Sequence, residues 1–119
     1  MKYLLIVALL LPLNSFAADP WSDGDIYREV AYQVIATIDW GQTLYIAKNP
    51  QIFSEKNSTL GRNPSISAVN AYFIKMQLAH LILSHVLPSE WRNGFQYLTI
   101  GGELETVGHN YNVGIKIGF

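Results

Sequence analysis

The chain has 119 residues, a formal charge of −1, no cysteine, and 50% hydrophobic against 14% charged residues. A near-neutral chain without a basic stripe is a poor partner for nucleic acid, and without cysteine it has neither disulfides nor a site for lipid modification of that residue. The charged fraction falls well under the roughly 25% usual for soluble domains, so the chain is either a well-buried small domain or one that touches lipid.

The first seventeen residues read as an export signal. Lys2 precedes the apolar run at 3–11, then Pro12 and the small residues Ser15 and Ala17 mark a cleavage site after Ala17. The apolar run is short for an anchor, which needs roughly 20 residues. Residues 18–119 then form one domain, in which seven basic residues face nine acidic ones, a charge of −2.

Ser22, ahead of Asp23, Gly24 and Asp25, predicts a capped helix with acidic residues at the positive end of its dipole, running to about Ala47. Ile26, Val30, Val34, Ile38, Gly41 and Tyr45 make one apolar face, the kind of stripe that ordinarily meets a core. Beside it Ile35, Asp39, Gln42 and Ile46 form a row in which an acid and an amide interrupt apolar residues. Residues 48–64 carry Asn49-Pro50, Asn57-Ser58, Gly61 and Asn63-Pro64, which predict a long loop, pinned to the core by Ile52, Phe53 and Leu60. Connections of that length are more often functional than short ones are. Asn57-Ser58-Thr59 fits the glycosylation acceptor pattern, a chance match in a bacterial-type envelope.

Ser65 caps a second predicted helix from Ile66 to about Leu87, apolar nearly all round and roughly 33 Å long. Such a helix is central to a bundle or in contact with a membrane. Asn70, Lys75, Gln77, His80 and His85 weigh against a crossing and favour the bundle. Pro88 ends this helix, Ser89-Glu90-Trp91 begins a third, and Gly101-Gly102 weakens it. From Val107 the odd positions are mostly apolar and the even ones Gly, Asn or Lys, the alternation of a strand. An alternating segment ending in Phe119 resembles the last strand of bacterial outer-membrane barrels. About 100 residues are too few for such a barrel, so the segment reads as an edge strand or folded-back tail. The expected fold is mainly α, a small bundle of two to three helices with a long loop and a C-terminal β-like tail.

Ile38-Asp39-Trp40-Gly41-Gln42-Thr43, Asn57 with Leu60-Gly61 and Pro64-Ser65, Val69-Asn70-Ala71-Tyr72-Phe73 and Leu87-Pro88-Ser89-Glu90-Trp91-Arg92 resemble a set of small uncharacterised exported proteins of proteobacteria and their phages. The resemblance implies a bacterial envelope origin and no activity.

Asp39, Gln42 and Thr43 share a helix face. A buried carboxylate needs partners, and Asn70, Gln77, His80 and Ser84 on the second helix, with Glu103, His109 and Asn110 near the end, supply the polar groups available. Asp39 against His80 would make a general acid and base pair; the alternative is a polar network that sets helix register. His80 and His85 lie about 140° apart around a helix and do not chelate together, and Ser84 lacks a Gly-x-Ser-x-Gly elbow. No metal or cofactor is expected.

Three readings follow. The first is a non-enzymatic exported protein that binds another envelope component or the membrane surface, with the loop as a contact. A second is a multi-spanning inner-membrane protein with Lys48, Lys56 and Arg62 on the cytoplasmic side. The third is a hydrolase or metal enzyme built on Asp39 and His80.

Overall fold

The computed structural model describes residues 18–119, so the export signal at 1–17 lies outside the described residues. Three helices follow in order: α1 (Asp23–Lys48), α2 (Ile66–Val86) and α3 (Ser89–Asn112). Ser22 closes a reciprocal capping box with Asp25 at the start of α1, and the Ser65 hydroxyl accepts from Ala68 N at the start of α2. Helix α1 is the centre of the layer and packs against both others, whereas α2 and α3 touch each other little. The molecule is consequently long and thin, 50 × 28 × 18 Å.

Side-chain bonds along the seams fix the directions. Arg28 Nε donates to Gln96 Oε1 and Asn110 Nδ2 to Gln42 Oε1, so α1 and α3 run parallel. Gln33 and Gln77 each donate a side-chain amide to the other's main-chain carbonyl at 3.0 Å, a clasp between antiparallel α1 and α2.

The interior reverses the usual distribution. On α1 the buried stripe is Asp25, Glu29, Tyr32, Ala36, Asp39, Thr43 and Ile46, a regular 4,3 spacing that is half polar. The first half of the apolar stripe expected to meet a core turns outward instead, with Ile26, Val30 and Val34 about half exposed, while Ile38 and Tyr45 are half-buried and Gly41 is buried. Among the described residues, ten buried side chains are polar or charged and eight are apolar, while eighteen large hydrophobic side chains are exposed. The apolar core is a small group, Leu44, Val69 and Phe73, with Trp40, Ala47 and Tyr72 around it.

Two expectations are corrected. No strand occurs among the described residues, and 107–112, expected to begin a β-like tail, continue α3. Gly101 and Gly102 lie on the exposed side with nothing near them, and a cost of about 1 kcal/mol each is outweighed by the anchoring of α3 at both ends, by Arg92 and Gln96 and by Asn110. A lone strand also has no second edge to pair with. Beyond Asn112 the chain turns at Gly114 (φ +89°) and lies across α1: Gly118 N donates to Gly41 O at 2.8 Å, and Phe119 meets Trp40 edge-on. Gly41 and Gly118 make this crossing feasible, since a Cβ on Gly118 would sit 2.7 Å from the Tyr45 backbone.

The connection between α1 and α2 is likewise not the structureless loop expected. One turn is closed by Ile52 N and Phe53 N on Asn49 O, another by Leu60 N and Gly61 N on Asn57 O, and Glu55 N bonds Arg62 O across the base. Asn57 ties the strap to α2 through its amide, which donates to the Tyr72 hydroxyl at 2.8 Å.

Candidate functional site: an acid-floored cleft and a closed polar network

The polar seams form two clusters at opposite ends of the bundle. At the end where α1 begins, Arg92 of α3 is fully buried and reaches six acceptors. Its Nε donates to Ser84 O at 2.6 Å, its NH2 group to His85 O and Leu87 O, and its NH1 group to Asp25 Oδ2 at 3.0 Å. A guanidinium from one helix thus satisfies carbonyls at the C-terminal end of the preceding helix, where the dipole favours positive charge. Trp21 covers its face with the ring centroid 4.9 Å away.

One turn deeper, Glu29 Oε1 meets His80 Nδ1 at 2.9 Å, and Glu29 Oε2 accepts from Ser84 Oγ at 3.0 Å and from Gln96 Nε2 at 3.2 Å. His80 Nε2 lies 2.7 Å from Thr99 Oγ1, and its ring is stacked between Tyr32 and Phe95 at 3.4 and 4.6 Å. A hydroxyl, an imidazole and a carboxylate in series resemble a nucleophile relay. The Thr99 hydroxyl, however, is also directed at the Phe95 and Gln96 carbonyls. The cluster is a closed network in which carboxylates, imidazole and guanidinium answer one another, and its consequence is register between three helices.

The opposite end is open. Where α2 and α3 splay apart under the 49–65 strap lies a cleft of about 750 Å3. Asp39 and Thr43 of α1 and Glu103, His109 and Asn110 of α3 line it, with Phe53, Glu55, Lys56 and Asn57 from the strap and Tyr72 and Phe73 from α2. Asp39 is only 8% exposed and takes a long bond of 3.4 Å from Thr43 Oγ1. Glu103 Oε2 is buried without a hydrogen-bond partner. The donor nearest in kind would be a proton on Asp39 itself, whose carboxyl is within hydrogen-bonding reach of Glu103. Lys56 and His109 are exposed, with Nζ and Nε2 3.3 Å apart.

The eight residues singled out in the sequence are therefore divided. Asp39, Thr43, Glu103, His109 and Asn110 line the cleft. Gln42 stands beside it, accepting from Asn110 and donating to Val107 O. Asn70 is elsewhere, its side-chain carbonyl accepting from Trp40 Nε1 at 2.9 Å. His80 belongs to the closed network, with both ring nitrogens occupied, so the Asp39–His80 pair that the acid–base alternative required does not form. Sequence reasoning missed Asp25, Glu29, Arg92 and Gln96. The available signal was the spacing 25, 29, 32, 36, 39, 43, 46 on α1, matched by 92, 96, 99, 103 on α3: two polar stripes of a kind that only facing helices can bury.

Among the described residues no group of three or more His, Asp or Glu is placed to hold a metal ion. No protein-family model, no curated protein and no solved structure matches the chain.

Proposed function

We propose that the chain is a multi-spanning membrane protein of a bacterial cell envelope, non-enzymatic, whose working part is the cleft under the strap. The observation that carries this reading is the charge on its outward faces. Along 26–47 of α1, 66–86 of α2 and 91–108 of α3, Lys75 and Glu105 are the two exposed residues among Lys, Arg, Asp and Glu. Of the other charged side chains in those spans, Arg28, Glu29 and Arg92 pair along the seams and Asp39 and Glu103 face each other in the cleft, the inward placement that intramembrane ionisable groups take.

Helix lengths agree. With 26, 21 and 24 residues the helices measure about 39, 32 and 36 Å, against a hydrocarbon core of about 30 Å. Among the described residues only α2 is long and apolar enough to be recognised as a span from its composition; α1 and α3 carry buried polar residues on the seam. Lys75 lies nine residues into α2, and helical side chains lean toward the helix N-terminus, which brings the ammonium toward the end that holds Lys48 and Lys56. Tyr27 and Trp91 stand exposed near one end and Tyr111 near the other, the places where aromatic rings meet headgroups.

The two ends differ in sign. Asp19, Asp23 and Glu90 lie where α1 begins, and Lys48, Lys56, Arg62 and Lys116 where it ends, which orients the strap and tail to the cytoplasm. An export signal ahead of residue 18 would leave that end outside, in agreement. A protein bound only to the membrane surface would not need nearly uncharged faces on all three helices, so the spanning reading displaces it.

The test is fractionation of cells expressing the full chain. The protein should stay with membranes through osmotic shock and an alkaline wash and leave them only with detergent; release by osmotic shock alone would overturn the reading. Because the chain lacks cysteine, single substitutions at Ser58 and Ser89 report the side of each end. A membrane-impermeant thiol reagent added to whole cells should label Ser89→Cys and spare Ser58→Cys.

A further inference from the structure

We propose that copies of this chain associate side by side in the bilayer, the outward face of α2 in one copy packing along α3 of the next, with Lys75 paired to Glu105 across the contact. The inference rests on the spanning reading for the common orientation of the copies and for the cost of an unpaired charge. The surface itself is read from the three helices alone.

Lys75 and Glu105 are the two exposed charges on the spanning faces, and among the described residues neither forms an ion pair within its own chain. Their depths agree. Gln33 with Gln77 and Trp40 with Asn70 set the antiparallel register of α2 on α1, and Arg28 with Gln96 and Gln42 with Asn110 set the parallel register of α3. Counted along these registers, Lys75 stands level with Ile35 and Glu105 with Thr37, about 3 Å apart along the bundle. A neighbouring copy inserted the same way therefore brings an opposite charge to the depth where each of the two lacks one.

The shapes on either side of that pair also match. Helix α3 turns Arg92, Gln96 and Asn110 toward α1, and on its opposite side Gly94, Gly101 and Gly108 follow one another seven residues apart, exposed, with nothing within 4 Å of a Cβ built on any of them. Seven residues fall only about 20° short of two turns, so the three glycines form a straight trough into which a second helix can settle closely. The outward face of α2 carries Ala71, Leu78 and Ile82, all exposed. By the same count Leu78 comes within one residue of the level of Gly101, and Ala71 within one of Gly108. In copies inserted alike, α2 of one runs antiparallel to α3 of the next. Lys75, about 60° round from Leu78, and Glu105, about 40° round from Gly101, then fall on the same side of the contact. The chain carries both halves, matched in depth, shape and charge, and the occupant that fits is a second copy.

Because the chain lacks cysteine, the contact can be read by disulfide formation. Ile82 and Leu98 are exposed and lie on the same side as the charged pair, about two residues apart in level. Two full-length copies with tags of different length are expressed together, one carrying Ile82→Cys and the other Leu98→Cys, and the membranes are oxidised with copper phenanthroline. A disulfide joining the two tags is expected. Lys75→Glu in the Ile82→Cys copy should cut its yield about tenfold, and adding Glu105→Lys to the Leu98→Cys copy should restore it, because the opposite charges are rebuilt between chains. Gly101→Leu in the Leu98→Cys copy should fill the trough and abolish the disulfide while the helix itself gains, since leucine is the better helix former and meets nothing in its own chain. Absence of the disulfide, a yield indifferent to Lys75→Glu or no recovery with Glu105→Lys overturns the proposal, as does a disulfide from Leu98→Cys to another protein instead. If the chain leaves membranes without detergent, the same copies oxidised in the soluble fraction separate the two readings: a disulfide restored by charge reversal keeps the contact and discards the bilayer, and its absence discards the contact as well.

Discussion

The two ends of this bundle bury the same kinds of residue to opposite effect. At the acidic end Asp25 and Glu29 meet Arg92, His80, Ser84 and Gln96, and polar atoms there find partners within the chain. At the basic end Asp39 meets Glu103, another acid, and an oxygen is left over in a cleft. A buried charge answered by its opposite holds helices together, whereas two facing acids are tolerated because one keeps its proton: burial first, and then Glu103, push the Asp39 carboxyl up to about 8. The difference leaves one end closed and the other an open, acid-floored cleft.

Breaking the closed end should produce the largest effect. Arg92→Met keeps the length and the apolar stem but leaves Asp25 and the α2 carbonyls without their donor, for an expected loss of about 3–5 kcal/mol, read as a shift of the denaturant midpoint of the detergent-solubilised chain. Arg92→Lys should recover little of it, because one ammonium cannot reach six acceptors arranged around a planar fork. A Met variant as stable as the parent would show that the network is incidental to the fold.

Glu29→Gln ranks next. The amide still accepts from Ser84 or Gln96, but it turns an NH2 group toward one of the donors that now face a carboxylate. The loss should be about 1.5–3 kcal/mol, the range for a hydrogen bond to a charged group. The cleft lies at the other end, so Glu29→Gln and Asp39→Asn combined should give the sum of their single effects; a departure greater than about 0.5 kcal/mol would join the two ends into one unit and undo the comparison.

Helix positions and caps were legible because they depend on local chemistry: Ser22 with Asp25, Ser65, and Pro88 act within a few residues of themselves. The sense of the interior was not legible by the same means. A stripe of Ile26, Val30 and Val34 reads as core-facing only if water surrounds the fold, and the hydropathy of a stripe is silent on which solvent it meets. Asp39 stood out because it interrupts apolar residues, whereas Glu29 and Arg92 looked like ordinary surface charge until the heptad spacing aligned them with each other. The tail misled for a related reason. Alternation over Val107, His109 and Tyr111 describes a strand, but Val107 and Asn110 at three apart also suit a helix whose seam is polar, and the helix had neighbours already in place.

A smaller effect sharpens the boundary of the open end. Ile115, a wall of the cleft, is held by a tail whose crossing of α1 depends on Gly118. Gly118→Ala would place a methyl 2.7 Å from the Tyr45 backbone, which must lift the tail and release the bond from Gly118 N to Gly41 O. Global stability should fall by about 1 kcal/mol, while carboxypeptidase should shorten the variant faster than the parent under native conditions. Equal digestion rates would show that the tail is held by its apolar side chains rather than by this contact.

The smallest change in stability is expected at Asp39, and its sign is the point. An acid buried in a satisfied network loses about 1–3 kcal/mol when converted to an amide, because a charged hydrogen bond is exchanged for a neutral one. Asp39 is not in such a network: Thr43 Oγ1 reaches its carboxyl only at 3.4 Å, and across the cleft it meets Glu103. Asp39→Asn removes one of two facing acids and supplies an N–H donor where Glu103 has an oxygen without one. Stability should therefore hold or rise, by about 0.5–1 kcal/mol, and the fall in stability that the raised Asp39 pKa imposes as pH climbs from the ordinary carboxylate range toward about 8 should disappear. A member of a satisfied network would lose stability instead, and a spectator residue would change neither the stability nor its pH dependence. A loss of stability greater than about 1 kcal/mol would place Asp39 with Glu29 and Asp25 as a member of the holding network and erase the distinction between the two ends.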